Sequence, residues 1–297
     1  MTAALPQWHG PGGESGQRLG SVAHIVIPLD ERPDSRLALP IARRLAQLYN
    51  ATPHLLYVGR GTGDAKEILR ALGLTPEDIS GAVLDERPGN FTDAIIRMAR
   101  ELPNPVVVMS AEGESQSNES FGQVAEAVLE SSPARVVLAA PAHCDRNWQV
   151  RRILLAHDGT WNSDSATAPA AELAQRASAE VIALHVAARK AASPQEPGSL
   201  PAPRYLDQPQ HEWPAWTQEF MDRMLALGAP PSAVHFDLVV AGGQPGSEIA
   251  ELAQRREVDL VVMAWNGKWN HTRHTATRAV IRACGCPVML VRSEKET

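Results

Sequence analysis

The chain is short of the features that secreted, membrane-spanning or nucleic-acid-coating proteins need. It has three cysteines, Cys144, Cys284 and Cys286, too few for a disulfide framework and in keeping with a reducing cytoplasm. Cys284-Gly-Cys286 has no second pair and reads as a helix end entering a buried strand, not as a metal half-site. No apolar run approaches the about 20 residues that span a bilayer, so no membrane segment is expected. Residues 1–20 lack the apolar core of a signal peptide and read as a flexible leader. There is no basic excess either: a formal net charge of −6 argues against a generic nucleic-acid binder. What remains is ordinary for a globular protein, with 44% hydrophobic and 21% charged residues. The 297 residues fit two domains. At about 150 residues each, such domains bury roughly two-thirds of their surface.

The most informative feature is an internal repeat. His24-Ile-Val-Ile-Pro-Leu-Asp30 and Arg152-Ile-Leu-Leu-Ala-His-Asp158 are apolar runs ending in an aspartate, 128 residues apart. Val58 and Val186 keep that offset. Pro105–Gly113 then pairs with Asp259–Gly267 at an offset of 154, and Val136 with Val288 at 152. An offset that holds, jumps once and holds again is a duplicated domain with one insertion. Domains are therefore expected at 21–142 and 148–293, joined by a short link that keeps them packed together. The insertion is assigned to the proline-rich stretch 189–213, a surface loop or lid.

Each half alternates short β-branched runs with helical patterns, as βαβ units around a parallel sheet do. Strands are expected near 24–29, 54–58, 82–85, 105–110 and 135–140, then near 152–157, 180–186, 234–240, 259–264 and 287–291. Helices are expected near 34–50, 64–72, 91–102 and 122–132, then near 165–178, 213–227, 246–256 and 275–284. Ala38, Ile41, Leu45 and Leu48 recur at helical spacing and supply one covering face. The strands are near-continuous apolar runs, which suits burial on both faces. In such sheets ligands bind beyond the carboxyl ends of the strands, where helix N-termini offer unpaired amides. Asp30, Asp158 and the loops Ser110–Gln123 and Ala264–Thr275 all belong to that edge.

These motifs, in this order, resemble the tandem form of the universal stress protein family. The resemblance covers about residues 21–292. It rests on Pro28-Leu29-Asp30 and Ala156-His157-Asp158, on Gly242-Gly-Gln-Pro-Gly246 before a helix, and on Val280-Ile-Arg-Ala-Cys-Gly-Cys-Pro-Val-Met-Leu-Val291. It implies two doubly wound, Rossmann-like or flavodoxin-like α/β domains with strand order 3-2-1-4-5, packed as a pseudo-two-fold dimer within one chain. It also implies ATP binding in many members, through Gly, two residues, Gly, nine residues and Gly-Ser or Gly-Thr after the fourth strand. Glycines let the backbone approach phosphates, and the hydroxyl and amides at the helix start hold the anion.

Neither half keeps that motif whole. The first offers Ser110, two residues, Gly113, eight residues and Gly122-Gln123, so a glycine and the hydroxyl are gone. Glu112, Glu114 and Glu119 in the same loop would repel a triphosphate. The second offers Ala264, two residues, Gly267, six residues and His274-Thr275. It keeps the hydroxyl and adds Lys268, Arg273 and Arg278 with His271 and His274, a candidate anion site at a helix start. Trp265 and Trp269 could stack on a base, but packing against the other domain is the preferred reading. His271 and His274 lack acidic or cysteine neighbours, so no metal is assigned to them. No Gly-x-Ser-x-Gly elbow occurs, and nothing in the sequence near Asp30 supplies an acid–base partner.

The expectation is a cytoplasmic regulatory or binding protein of the stress response with degenerate nucleotide motifs and no assigned catalytic residue. A nucleotide or other small anion would sit on Asp158, Gly267, Lys268, Arg273, His274 and Thr275. The corresponding first-half cleft would be Asp30, Ser110, Gly113, Gly122 and Gln123. Two alternatives stay open: a functional ATP or AMP binder using the second half, and a hydrolase or transferase working under the 189–213 insertion. A homodimer is a further expectation, with the protein partner left unassigned.

Overall fold

Two sets of five parallel strands lie side by side in one ten-stranded sheet. The structure, a computed structural model, describes residues 21–59, 64–111, 122–139, 147–187, 212–228, 234–269 and 273–293. The first set is β1 (His24–Leu29), β2 (Thr52–Val58), β3 (Val83–Arg87), β4 (Pro105–Ser110) and β5 (Arg135–Ala139). Its helices are α1 (Ala38–Tyr49), α2 (Ala65–Ala71), α3 (Phe91–Glu101) and α4 (Gln123–Ser131). The second set is β6 (Arg152–Ala156), β7 (Glu180–Ala187), β8 (Phe236–Gly242), β9 (Leu260–Trp265) and β10 (Val288–Arg292). It carries α5 (Trp161–Asp164), α6 (Thr167–Ala177), α7 (Glu212–Gly228), α8 (Pro245–Arg255) and α9 (Arg273–Ala283).

The spatial order is β3-β2-β1-β4-β5-β10-β9-β6-β7-β8, so each half has the order 3-2-1-4-5. Register repeats with the sequence offsets. His24 faces Thr52 across β1 and β2, and Arg152 faces Glu180 across β6 and β7, both partners shifted by 128. His54 faces Val83, whereas Ile182 faces Asp237, the second partner now shifted by 154. The jump therefore falls between β7 and β8. The stretch 189–213, to which it was assigned, lies almost wholly outside the described residues; α7 begins at Glu212. A one-residue slip would turn every core side chain to the wrong face, which is why register survives duplication.

Each helix stops where its sequence lets it. Asn50 ends α1 and Ser178 ends α6, both left-handed at φ 53, and they too are 128 residues apart. Asn90 caps α3 by accepting from the Asp93 amide. The helix expected over 34–50 divides into a 3-10 turn, Pro33–Leu37, and α1, with Pro33 at the start where its missing N–H costs nothing. Cys284 and Cys286, free and buried, bridge α9 and β10 as the helix end entering a strand.

One core layer, including Ile27, Leu45, Leu155 and Leu173, runs under α1 and α6 across both halves. The other, including Val107, Met98, Val261 and Ile281, lies under α3, α4, α8 and α9. The halves join where β5 pairs antiparallel with β10, Val137 opposite Met289. Arg135 on β5 reaches Glu172 on α6 at 3.5 Å across the same boundary. Among the described residues no helix is long and apolar enough to cross a membrane.

Candidate ligand-binding site

A cavity of about 530 Å3 opens at the carboxyl edge of the second five strands. Its floor is the ends of β6, β7 and β9, and its walls are the first turns of α8 and α9. Leu184, Ile249, Met263 and Ala279 make it largely apolar, while Asp158, Asn162, Gln244, Ser247, Asn266 and Thr275 bring polar groups to the wall. Size and mixture are those of a small-molecule site. Two helix N-termini meet there: Gln244-Pro245-Gly246-Ser247 opens α8, with Gln244 in the cap position and Pro245 in the first turn. Gly246 lets the two helices close on each other. A Cβ on it would stand 2.5 Å from Ala279 Cβ.

Asp158 follows β6 and is fixed by its own turn. Its Oδ1 accepts from the Thr160 amide at 3.0 Å and from Thr160 Oγ1 at 2.6 Å, with Ser163 Oγ 2.8 Å away. The turn-forming role and the place at the cavity wall belong to the same carboxylate. Beneath it, His157 is buried. Its Nδ1 accepts from the Gly159 amide at 3.1 Å, which puts the ring proton on Nε2, 2.8 Å from Asp164 Oδ1. Ser163 Oγ stands 3.3 Å from that same Nδ1. This grouping resembles a nucleophile triad, but its hydrogen bonds are otherwise engaged. The Nδ1 lone pair already holds an amide proton, and the Ser163 proton has the Thr160 carbonyl at 2.6 Å and Asp158 as acceptors. The cluster braces the turn beneath the cavity. Phe220 of α7 packs edge-on against His157 and at a tilt against His185. His185 donates from Nδ1 to the His157 carbonyl at 3.1 Å, and burial holds its pKa below the ordinary histidine range.

The structure separates the six residues proposed for the second-half site. Asp158 and Thr275 line the cavity. Gly267 does something else. At φ +78, its missing Cβ makes room for Arg292, whose Nη2 would stand 2.5 Å from that atom. Arg292 in turn donates from Nη1 to the Glu130 and Ser132 carbonyls at the end of α4, at 2.9 and 3.0 Å. The glycine thus serves the joint between the halves. Lys268 is exposed, and its amide lies 3.3 Å from the Asn266 side-chain oxygen. Arg273 and His274 open α9, but their side chains lie outside the described residues. Arg278 is committed elsewhere: it pairs with Glu126 of α4 at 3.5 Å and lies over the Trp269 ring at 4.9 Å.

The tryptophans likewise hold the joint. Trp269 Nε1 donates to the Glu126 carbonyl at 3.3 Å, and Trp265 Nε1 to the Leu129 carbonyl at 2.9 Å. Trp265 also forms part of the cavity wall. Asn162, Gln244, Ser247 and Asn266 also line the cavity and were not singled out from sequence; the nearest signals are the Gly242–Gly246 turn and the loop Ala264–Thr275.

The first half is built differently at the same edge. Asp30 is clamped by Arg32, whose amide reaches Oδ1 at 3.0 Å and whose Nε reaches Oδ2 at 2.7 Å. Ser110 ends β4, and Gly122 takes the cap position of α4 with no side-chain bond, its amide donating to the Ala111 carbonyl. Gln123 is exposed in the first turn of α4. Gly113, Glu112, Glu114 and Glu119 lie outside the described residues, as do His271 and Cys144.

Fold and edge together define a tandem doubly wound α/β protein with a ligand-sized cavity in one half. Residues 149–292, the second half of the chain, match the model described as the universal stress protein family. Among solved structures it is similar to a universal stress protein from Archaeoglobus fulgidus DSM 4304. That similarity has 16% identity and a TM-score of 0.63, over 92% of this chain and 97% of that one. It is also similar to a functionally unknown protein from Pseudomonas aeruginosa PAO1, at 14% identity and a TM-score of 0.62, over 94% and 95% of the two chains. At these identities the likeness is one of fold. No curated protein matches the chain.

Proposed function

We propose that the chain is a binding or regulatory protein of the stress response whose second half takes one adenine nucleotide, the monophosphate in preference to the triphosphate. The cavity between Asp158 and the first turns of α8 and α9 carries this reading. Its apolar interior suits a base, and Asp158 stands where a ribose hydroxyl could donate to it. The phosphate would meet the start of α9, where Arg273, His274 and Thr275 form the first turn and Lys268 lies in the loop before it. The preference for a monophosphate follows from Gly267. In the family motif that glycine admits phosphates, whereas here it faces Arg292. The first half, with Asp30 tied to Arg32, contributes no second site.

Native mass spectrometry of the purified chain, followed by calorimetric titration with adenosine, AMP and ATP, tests this. One ligand per chain and AMP tighter than ATP are expected. Changing Lys268 and Arg273 together to Ala should weaken AMP at least tenfold and leave adenosine unchanged. Failure of all three ligands to bind at millimolar concentration, or two sites per chain, overturns the reading.

A further inference from the structure

At the opposite edge of the sheet, away from the cavity, three titratable side chains line up across β1, β2 and β3. His24 Nδ1 lies 3.0 Å from His54 Nε2, and His54 Nδ1 lies 3.0 Å from Asp85 Oδ2. The carboxylate can only accept, so His54 carries its proton on Nδ1 and presents the Nε2 lone pair to His24. From this we infer that His24 and His54 form a two-nitrogen site for a divalent transition-metal ion, oriented from behind by Asp85 and completed by water.

The arrangement has the chemistry such a site needs. A ligating imidazole normally gives its other N–H to a carboxylate, which sets the tautomer and raises ligand basicity. Asp85 does this for His54. His24 becomes the second ligand by moving its ring proton from Nδ1 to Nε2, so two neutral rings need release no proton on binding. The 3.0 Å separation is that of a hydrogen bond between the rings, so binding a metal turns them slightly apart. Imidazole ligands follow the general order in which Cu(II) stands above both Ni(II) and Zn(II).

Surroundings agree. His24 and His54 are both only partly buried, leaving room for water ligands. They share a sheet face with Val26 and Leu56, which α3 covers. Because α3 follows β3 and precedes β4, its carboxyl end returns to this edge, where its dipole favours a cation. Among the described residues no group of three or more His, Cys, Asp or Glu side chains is arranged to hold a metal. The protein would therefore supply two ligands, and the ion stays exchangeable.

The test uses the full chain with Cu(II), Ni(II) and Zn(II), each titrated in competition with a chelating dye. Cu(II) is expected to bind more tightly than both Ni(II) and Zn(II), with one Cu(II) held at micromolar concentration or tighter. The double change His24→Gln with His54→Gln should weaken that equivalent at least 100-fold. Asp85→Asn should weaken it about 10- to 100-fold, as loss of an orienting carboxylate does. Electron paramagnetic resonance of the unaltered chain with one equivalent of Cu(II) should show two imidazole nitrogens, a readout that does not depend on any variant folding. Fewer than two, or a double variant binding Cu(II) as the parent does, overturns the site. An Asp85→Asn variant with unchanged affinity overturns the role given to Asp85.

Discussion

The two halves share strand order and register yet differ at the edge where a ligand would bind. In the first, Asp30 is neutralised by Arg32, two residues on. In the second, Asp158 is held by hydroxyls and an amide beside a cavity. The end of β9 and the loop after it send Trp265 and Trp269 to α4 of the first half, and Arg278 from α9 and Arg292 from β10 join them. At the position matching Trp265 the first half has Ala111. Duplication preserved the buried strands, where a change is costly, and let the edges diverge.

The largest expected effect lies at that joint. Trp265→Ala removes a buried ring and leaves the Leu129 carbonyl without its indole partner. It should cost about 3–5 kcal/mol, read as a lower midpoint in denaturant. Ala111→Gly, at the matching first-half position, should cost about 1 kcal/mol or less. Equal losses would mean that the joint is not asymmetric. Arg292→Ala comes next. Two α4 carbonyls lose a charged donor, for about 1.5–3 kcal/mol. Gly267→Ala should also destabilise, by about 1–2 kcal/mol, because φ +78 disfavours a Cβ and Arg292 occupies its place. If Gly267→Ala instead leaves stability intact but abolishes AMP binding, the glycine belongs to the ligand after all.

A smaller effect separates the two aspartates. Asp158→Ala should weaken AMP at least tenfold, about 1.4 kcal/mol. Asp30→Ala should leave binding unchanged and lower stability by less than about 1 kcal/mol, since its pair with Arg32 is half exposed. Calorimetry on both variants decides the matter. The smallest effect is a pH dependence. His185 has its folded pKa depressed by burial, so the unfolded chain binds the proton more readily. Its contribution to stability is present above the unfolded value of 6.5 and falls as pH drops below it. His185→Gln should flatten the stability profile between about pH 6.5 and 5. An unchanged slope would mean that the ring is not held neutral.

Much of this was legible beforehand, and the reason differs from residue to residue. Apolar runs such as Val106-Val-Val-Met announced strands buried on both faces, and the constant offsets carried their order into the second half. Asp158 and Thr275, which line the cavity, could be placed at that edge from sequence because strand ends and helix starts are local features. Gly267 was read as a phosphate glycine, since a sequence reveals that a Cβ is missing and not which neighbour fills the space. Arg278 looked free for a ligand, and the packing expected of the two tryptophans against the other domain could not be given a partner, because their partners on α4 are more than 130 residues away in the chain.

Alternation of apolar runs and amphipathic segments, written twice, determined by itself that this chain is a pair of doubly wound α/β halves. Burial on both sheet faces and fixed register leave that pattern few other folds. Only the tertiary structure decided that a cavity opens beside Asp158, and which α4 carbonyls Arg292, Trp265 and Trp269 reach. Those outcomes depend on which distant donor reaches an unpaired carbonyl first, and that contest is settled in space.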